Sequence, residues 1–259
     1  MLEIDASIIG GWLGSMMWPF FRIGGFLLAA PILGTQLVPA RIRISLALLF
    51  TLAVRPVLPP MPEIDPLSLA SVVMIFQQVL IGIALGFSLQ LLLQLFVVAG
   101  QVIAMQMGLG FAQMVDPTNG VSVTVVSQFH LMLVYLLFLA MNGHLAMIEV
   151  FLESFHTLPI GTGFFSNAAL WKLAGWAAWM FSSAIVMALP ALTSLLIINF
   201  SLGVVTRAAP QLNIFAVGFP FMLVIGLGII WSTLGGYLPL FDRFTRQALD
   251  MIAFMAQVN

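Results

Sequence analysis

The chain of 259 residues contains no cysteine. It can therefore form neither a disulfide framework nor a thiolate metal site. Charge is scarce as well, since Asp, Glu, Lys and Arg make up 7% of the residues and the formal net charge is −1. A soluble domain carries about 25% charged residues, so this composition excludes a water-soluble surface. It also excludes the basic face with which proteins meet nucleic acid.

Apolar residues fill the place of the missing charges and make up 62% of the chain. Four stretches without Asp, Glu, Lys or Arg cover residues 66–115, 117–148, 173–206 and 208–241. Each can hold the roughly 20 apolar residues that cross a bilayer. Residues 1–5 lack the positive charge of a cleaved signal peptide, so we expect the first hydrophobic segment to be retained. The composition predicts an all-α polytopic membrane protein.

About six hydrophobic helical segments are predicted, some of them kinked by proline or forming hairpins. They cover residues 7–34, 44–57, 67–105, 121–141, 171–199 and 213–231. As one straight helix, the third would be roughly 58 Å long, nearly twice the thickness of the hydrocarbon core. It must tilt, bend at a glycine or protrude from the membrane. Since no linker or internal repeat is evident, we predict a single domain over residues 1–259.

The last stretch of the chain has a different pattern. Apolar residues recur at helical spacing at Phe241, Phe244, Ala248, Ile252 and Met255, and charged residues occupy the other face. This pattern predicts a C-terminal amphipathic helix that lies on the membrane or on a partner protein. Phe244 and Ile252 would then make the contact.

Four polar residues stand out within the apolar segments. Arg22 at the centre of a span would cost roughly 2.5 to 3.5 kcal/mol. We expect it to reach an interface or to pair with a carboxylate of a neighbouring subunit, with a direct role in a translocation path as the alternative. Gln90, Gln94 and Gln101 share one helical face. They are expected to hydrogen-bond with partner helices, and the alternative is a stripe that lines a substrate path.

Residues 105–120 interrupt the helical pattern with glycines, a turn-forming Asp-Pro pair and flexible apolar side chains. Such a segment is either an ordinary connection at the membrane edge or a deformable apolar plug, because irregular backbone at membrane depth is tolerated where it lines a cavity. The residues of the predicted plug are Met105, Met107, Gly108, Leu109, Gly110, Phe111, Met114, Asp116 and Pro117.

A second connection, residues 199–221, reads as the tip of a helical hairpin. Arg207 is placed to meet the carbonyl end of the preceding helix, Pro210 stops that helix, and Asn213 suits the N-cap of the next one. We assign all three a structural role or a role in assembly.

Enzyme chemistry has little basis in this sequence. His130, His144 and His156 show no zinc-protease spacing, no glycine-rich phosphate loop is followed by a lysine, and no nucleophile accompanies a convincing base. We therefore predict a protein that is not an enzyme and that binds no cofactor or metal.

As a string, residues 199–220 resemble the signature of the FliR family, whose members are subunits of type III export gates. Residues 110–120, the Asn142-Gly143-His144 string, the positions of Ser154, Phe155 and Pro159, and the placement of Pro190 are similar to that family as well. The resemblance covers nearly the whole chain, and the ending Gly218-Phe219-Pro220 resembles the flagellar branch. The signature residues are Asn199, Leu202, Gly203, Arg207, Pro210, Gln211, Asn213, Phe215, Gly218, Phe219 and Pro220.

The resemblance implies a structural pore subunit at the flagellar basal body in the bacterial inner membrane. One copy would assemble with several FliP and FliQ copies into a closed helical gate, with FlhB joining around it and FlhA nearby. It also implies a FliP-like N-terminal part and a FliQ-like C-terminal part. Unfolded rod, hook and filament proteins would be the substrates. The alternatives are an injectisome homologue of the gate, or a transporter of small solutes or ions, which broken helices and Arg22 would suit.

Overall fold

A computed structural model describes residues 6–35, 38–62, 64–65, 68–110, 124–161, 163–209 and 214–257. All regular secondary structure within these ranges is helical. The α-helices are α1 (Ala6–Ala29), α2 (Ala40–Val54), α3 (Leu69–Gln106), α4 (Val125–Ala140), α5 (Gly143–Thr157), α6 (Asn167–Ala208), α7 (Ile214–Thr233) and α8 (Tyr237–Gln257). Short 3-10 turns at Arg55–Val57 and Leu234–Gly236 follow α2 and α7.

Three stretches are long and apolar enough to cross a membrane, namely Leu69–Gln106, Asn167–Ala208 and Val217–Met255. The bent pair α4 and α5 brings the number to four if it forms one span. This confirms the predicted class, an all-α polytopic membrane protein. One helix has no counterpart among the predicted segments: α5, whose apolar run is interrupted by Glu149 and Glu153. It begins after Asn142, whose left-handed backbone, with φ of 56°, ends the course of α4.

The chain divides into two compact units that are interleaved in sequence. The first contains residues 1–91, 142–176 and 246–259, and the second contains residues 92–141 and 177–245. The predicted single domain, with its two family-like parts, stays a prediction.

In the first unit, α1 packs against α3 through glycines. A Cβ atom at Gly25 would collide with the carbonyl oxygen of Val79, and one at Gly82 would collide with that of Arg22. A Cβ atom at Gly86, four residues after Gly82, would lie 2.8 Å from the backbone nitrogen of Ala30. This spacing of small residues lets two helix backbones approach closely in a membrane.

In the second unit, an aromatic cluster centres on Phe96 of α3. Its ring centroid lies 6.3 Å from that of Tyr237, 5.9 Å from that of Phe241 and 6.1 Å from that of Phe244. These are distances at which aromatic rings attract one another beyond their area of contact. The cluster fixes the beginning of α8 on α3.

The apolar stripe of α8 is buried within the chain. Phe244 and Ile252 are only 3% and 1% exposed, and Phe241, Ala248 and Met255 are buried as well. The helix is amphipathic, as predicted, but the chain itself already covers the stripe. That Phe244 and Ile252 contact a membrane or partner stays a prediction, because periodicity shows which face is apolar and not what buries it in an assembly.

Candidate functional site

The end of α3 forms a helix cap around a glycine. Gly108 has φ of 86°, its N–H donates to the carbonyl of Met105 at 3.1 Å, and the N–H of Leu109 donates to that of Ala104 at 3.0 Å. These two bonds define a Schellman cap, in which glycine is preferred because the left-handed conformation strains residues with a Cβ. The predicted plug segment thus begins with a fixed change of direction.

Met107, one residue before that glycine, is held in a notch of α7. Its side chain is 1% exposed, and a Cβ atom at Gly226 would lie 2.5 to 2.7 Å from three of its atoms. Beside it, a Cβ at Gly108 would lie 3.3 Å from the ring of Phe219. The absence of a side chain at Gly226 therefore makes the space that Met107 fills.

The beginning of α4, at Thr124, also contacts α3. Thr124 is the N-cap of α4, and its hydroxyl accepts the N–H of Ser127 at 3.2 Å. The side-chain oxygen of Gln101 accepts the N–H of Thr124 and the hydroxyl of Ser127, both at 3.2 Å. Gly100 permits this approach, since its Cβ would lie 2.7 Å from the Cα of Ser127. The beginning of α4 consequently lies beside the last turns of α3.

The predicted plug residues divide into four groups. Met107 is buried, whereas Met105 is 62% exposed. Gly108, Leu109 and Gly110 are half-buried. The remaining predicted plug residues, Phe111, Met114, Asp116 and Pro117, lie outside the described residues.

Arg22 is completely buried in the first unit. Its Nε atom donates to Oε1 of Gln78 at 2.7 Å, and its two terminal nitrogens donate to the carbonyls of Ser154 and Leu158, both at 2.9 Å. The guanidinium also lies 4.5 Å above the ring of Phe155. The guanidinium thus donates to neutral acceptors of the same chain. It was expected to reach an interface or to pair with another subunit's carboxylate. Two of these acceptors are carbonyls at the C-terminal end of α5, where the helix dipole favours a cation.

Gln78 is the functional partner that sequence reasoning missed. It is fully buried and precedes Gly82 and Gly86 on α3 at intervals of four residues. That spacing puts a glutamine in line with two packing glycines, and it is the signal that could have indicated a buried partner. Gln90 and Gln94 continue the same interval and are half-buried. Neither forms a hydrogen bond with another described residue.

Only part of the predicted hairpin tip lies within the described residues. Arg207 lies in the last turn of α6 and is exposed, with no hydrogen bond to the described chain. The other two predicted hairpin residues, Pro210 and Asn213, are outside the described part. Nearby, the Nδ2 atom of Asn199 lies 3.5 Å from the carbonyl oxygen of Gln106, at the cap of α3.

Titratable side chains do not assemble into a reactive centre in the described residues. No group of three or more His, Asp or Glu that could hold a metal occurs among them. His130 is buried, with Nδ1 2.7 Å from the carbonyl oxygen of Val126 and its ring beside Tyr237. The absence of a cofactor stays a prediction. What this arrangement supplies is a capped end of α3, an α4 whose beginning is hydrogen-bonded to Gln101, and a tightly held arginine.

Such a chain is an all-helical polytopic membrane protein. Residues 13–248 match the family described as "Bacterial export proteins, family 1". The chain is 36% identical over 253 residues to the flagellar biosynthetic protein FliR of Escherichia coli K12, covering 98% of this chain and 97% of that protein. It is 39% identical over 257 residues to FliR of Pectobacterium carotovorum, with coverage of 98% and 97%. Against FliR of Bacillus subtilis the identity is 28% over 246 residues.

The chain belongs to this family of bacterial export proteins, the FliR family. It is a membrane component of the flagellar export apparatus, and the family is one of structural components and not of enzymes.

Proposed function

We propose that the chain is a structural pore subunit of the flagellar type III export gate in the bacterial inner membrane. One copy assembles with FliP and FliQ copies, and FlhB and FlhA associate with the gate. Unfolded flagellar proteins pass through the channel that these subunits form. The proposed division into a FliP-like N-terminal part and a FliQ-like C-terminal part belongs to this assembly.

The observation that carries the proposal is the exposed apolar surface of α6. Trp171 near one end is 79% exposed and Val204 near the other is 55% exposed. An α-helix rises about 50 Å over 33 residues, more than the roughly 30 Å of a hydrocarbon core. In the assembled gate, partner helices would cover the apolar side chains that lie outside that core.

Other apolar surface supports the same proposal. Of the most apolar 18-residue stretch of Asn167–Ala208, only 33% is buried within the chain, and of that of Val217–Met255 only 22% is buried. Gln90 and Gln94 add amide groups that find no acceptor among the described residues, and such groups favour contact with other helices in a membrane. We assign these two residues and Arg207 to subunit contacts.

Within the gate, we assign residues 105–117 to the seal of the idle channel. A conduit for unfolded chains would leak ions unless an apolar constriction excluded water. Methionine suits this task because its unbranched thioether repacks around irregular shapes. The cap at Gly108 changes the direction of the chain at the end of α3, and the Gln101–Thr124 contact holds the beginning of α4 beside that end.

The assembly is tested by the mass of the detergent-extracted complex. An export gate is expected as a large hetero-oligomer that contains FliP and FliQ, whereas a transporter is expected as a small homo-oligomer. We also expect the chain to be unstable or heterogeneous when it is purified without these partners. A stable isolated monomer would contradict the proposal.

The seal is tested by ion conductance of membranes that contain the intact gate. Deleting residues 109–114 is expected to raise the conductance of the idle channel, and Asp116→Ala is expected to disturb chiefly the placement of the segment. Gly226→Ala should also raise conductance, because the added Cβ displaces Met107. Gly228→Ala is the matched control, since its Cβ would meet no atom within 4 Å. Tight channels with the deletion would assign the seal to another subunit.

A further inference from the structure

A groove runs along the α1–α2 hairpin in the first unit and has a cavity volume of 280 Å³. Its walls are apolar and include Phe20, Leu28, Ile44 and Ala47. Its floor contains Gly24, where a Cβ atom would meet nothing within 4 Å. Ligand cavities in proteins begin at roughly this size, so the groove can hold a slender apolar chain.

The groove has a cationic end. Arg43 lines it, and its Nε and Nη2 atoms donate to the carbonyl of Val38 at 3.1 and 2.9 Å. These bonds hold the guanidinium at the beginning of α2. Arg41 lies in the same helical turn and is exposed. Neither arginine pairs with a carboxylate in the described part of the chain. The two account for a quarter of the 8 basic residues in the whole sequence.

We propose that this groove binds an anionic phospholipid. The phosphate lies at Arg41 and Arg43, and one acyl chain lies along the groove between α1 and α2. The chemistry of both ends carries the proposal. Two cations that meet no carboxylate within the described ranges lie at the end of an apolar groove, which matches an amphiphile with a negative head. A partner helix would match the apolar part equally well, but it would need its own carboxylate opposite the arginines.

The position in the chain agrees with this occupant. Arg41 and Arg43 lie in the first turn of a helix that follows the turn after α1, so these two charges lie at the tip of the hairpin. Basic residues at the end of an apolar helix attract anionic headgroups by about 1 kcal/mol each. The exposed side chains of Leu28 and Ile44, 53% and 60% exposed, offer apolar cover to the beginning of the acyl chain.

The test uses proteoliposomes that contain the full-length chain together with its co-purified partner proteins. Phosphatidylglycerol with a photoreactive diazirine in one acyl chain is compared with phosphatidylcholine carrying the same chain, and labelled peptides are identified by mass spectrometry. We expect phosphatidylglycerol to label residues 20–28 and 40–47 several-fold more strongly. Arg41→Gln should lower that preference about fivefold, which corresponds to about 1 kcal/mol.

A second variant tests the apolar part. Gly24→Leu places a side chain in the open groove and should abolish acyl labelling there by both lipids. Arg243→Gln and Gly203→Leu are matched controls at an exposed arginine and at a glycine with open space, and both should label like the parent. If Gly24→Leu fails to fold, the labelling preference of Arg41→Gln tests the proposal by itself.

Equal labelling by the two lipids would overturn the proposal. So would crosslinks from a photoreactive residue at position 44 to another protein in place of lipid, because they would show a helix in the groove. Either result leaves the proposed export function untouched, since that function does not depend on this groove.

Discussion

The Nε atom of Arg22 donates to the side-chain oxygen of Gln78 at 2.7 Å, across 56 positions of the sequence and inside a fully buried region. The two other bonds of the guanidinium go to the end of α5. One arginine therefore joins α1, α3 and α5. Because all its partners are neutral, each bond contributes as a charge-assisted hydrogen bond without a second buried charge.

Removing the acceptor of this contact should destabilise the chain. Gln78→Leu leaves the Nε proton of Arg22 without a partner, and we expect a loss of about 1 to 3 kcal/mol. The thermal midpoint of the protein in detergent should fall by roughly 2 to 4 °C for each kcal/mol. Gln90→Leu is the matched control on the same helix, because Gln90 makes no hydrogen bond in the described structure. Equal midpoints for the two variants would contradict the conclusion that the Arg22–Gln78 hydrogen bond stabilises the contact between α1 and α3.

The close contact of α1 with α3 makes a second prediction. Gly25→Ala forces a methyl group against the carbonyl of Val79, so we expect a loss of about 1 to 3 kcal/mol from overpacking. Gly24→Ala, one residue earlier, meets open space and should be neutral or stabilising by up to about 1 kcal/mol through helix propensity. The midpoints of urea or thermal unfolding in detergent measure both. Similar losses at both positions would show that the helices are not packed through Gly25.

The cap at the end of α3 makes a third prediction. Gly108→Ala should cost about 1 to 2 kcal/mol because its backbone is left-handed. The same change at Gly110 is the control, since its Cβ would meet only the Cγ of Met105, at 3.8 Å. The free energy of unfolding measures the cost. In the assembled gate, Gly108→Ala should also raise idle conductance more than Gly110→Ala does.

The buried stripe of α8 makes a fourth prediction. Phe244→Asp should destabilise the chain itself by at least about 3 kcal/mol, because it removes a ring from the cluster around Phe96 and buries a carboxylate. Arg243→Ala, on the exposed face, should change stability by less than about 0.5 kcal/mol. Protein levels and thermal midpoints distinguish this from a loss of docking, in which a stable chain would fail only to recruit a partner.

Much of the fold follows from local patterns. The apolar runs predicted α3, α6 and α7 to within a few residues at most ends, and the change to an amphipathic period predicted α8. One result escaped the local pattern: helix α5 was missed because Glu149 and Glu153 break its apolar run. Helix α6 ends at Ala208, just before Pro210, the residue predicted to stop it.

By itself, the sequence determined the membrane as solvent, the helical class and the family, because these depend on composition and on strings of residues. It also determined where the helix is interrupted after Gln106, since Gly108 supplies a left-handed residue at that point. Only the tertiary structure decided which groups meet. From the sequence, Arg22 could have contacted an interface or another subunit, and the stripe of α8 could have faced lipid. Periodicity shows which face of a helix is apolar, and it does not show what contacts that face. The pairing of Arg22 with Gln78 and of Met107 with Gly226 depends on how helices distant in sequence cross, which no local pattern contains.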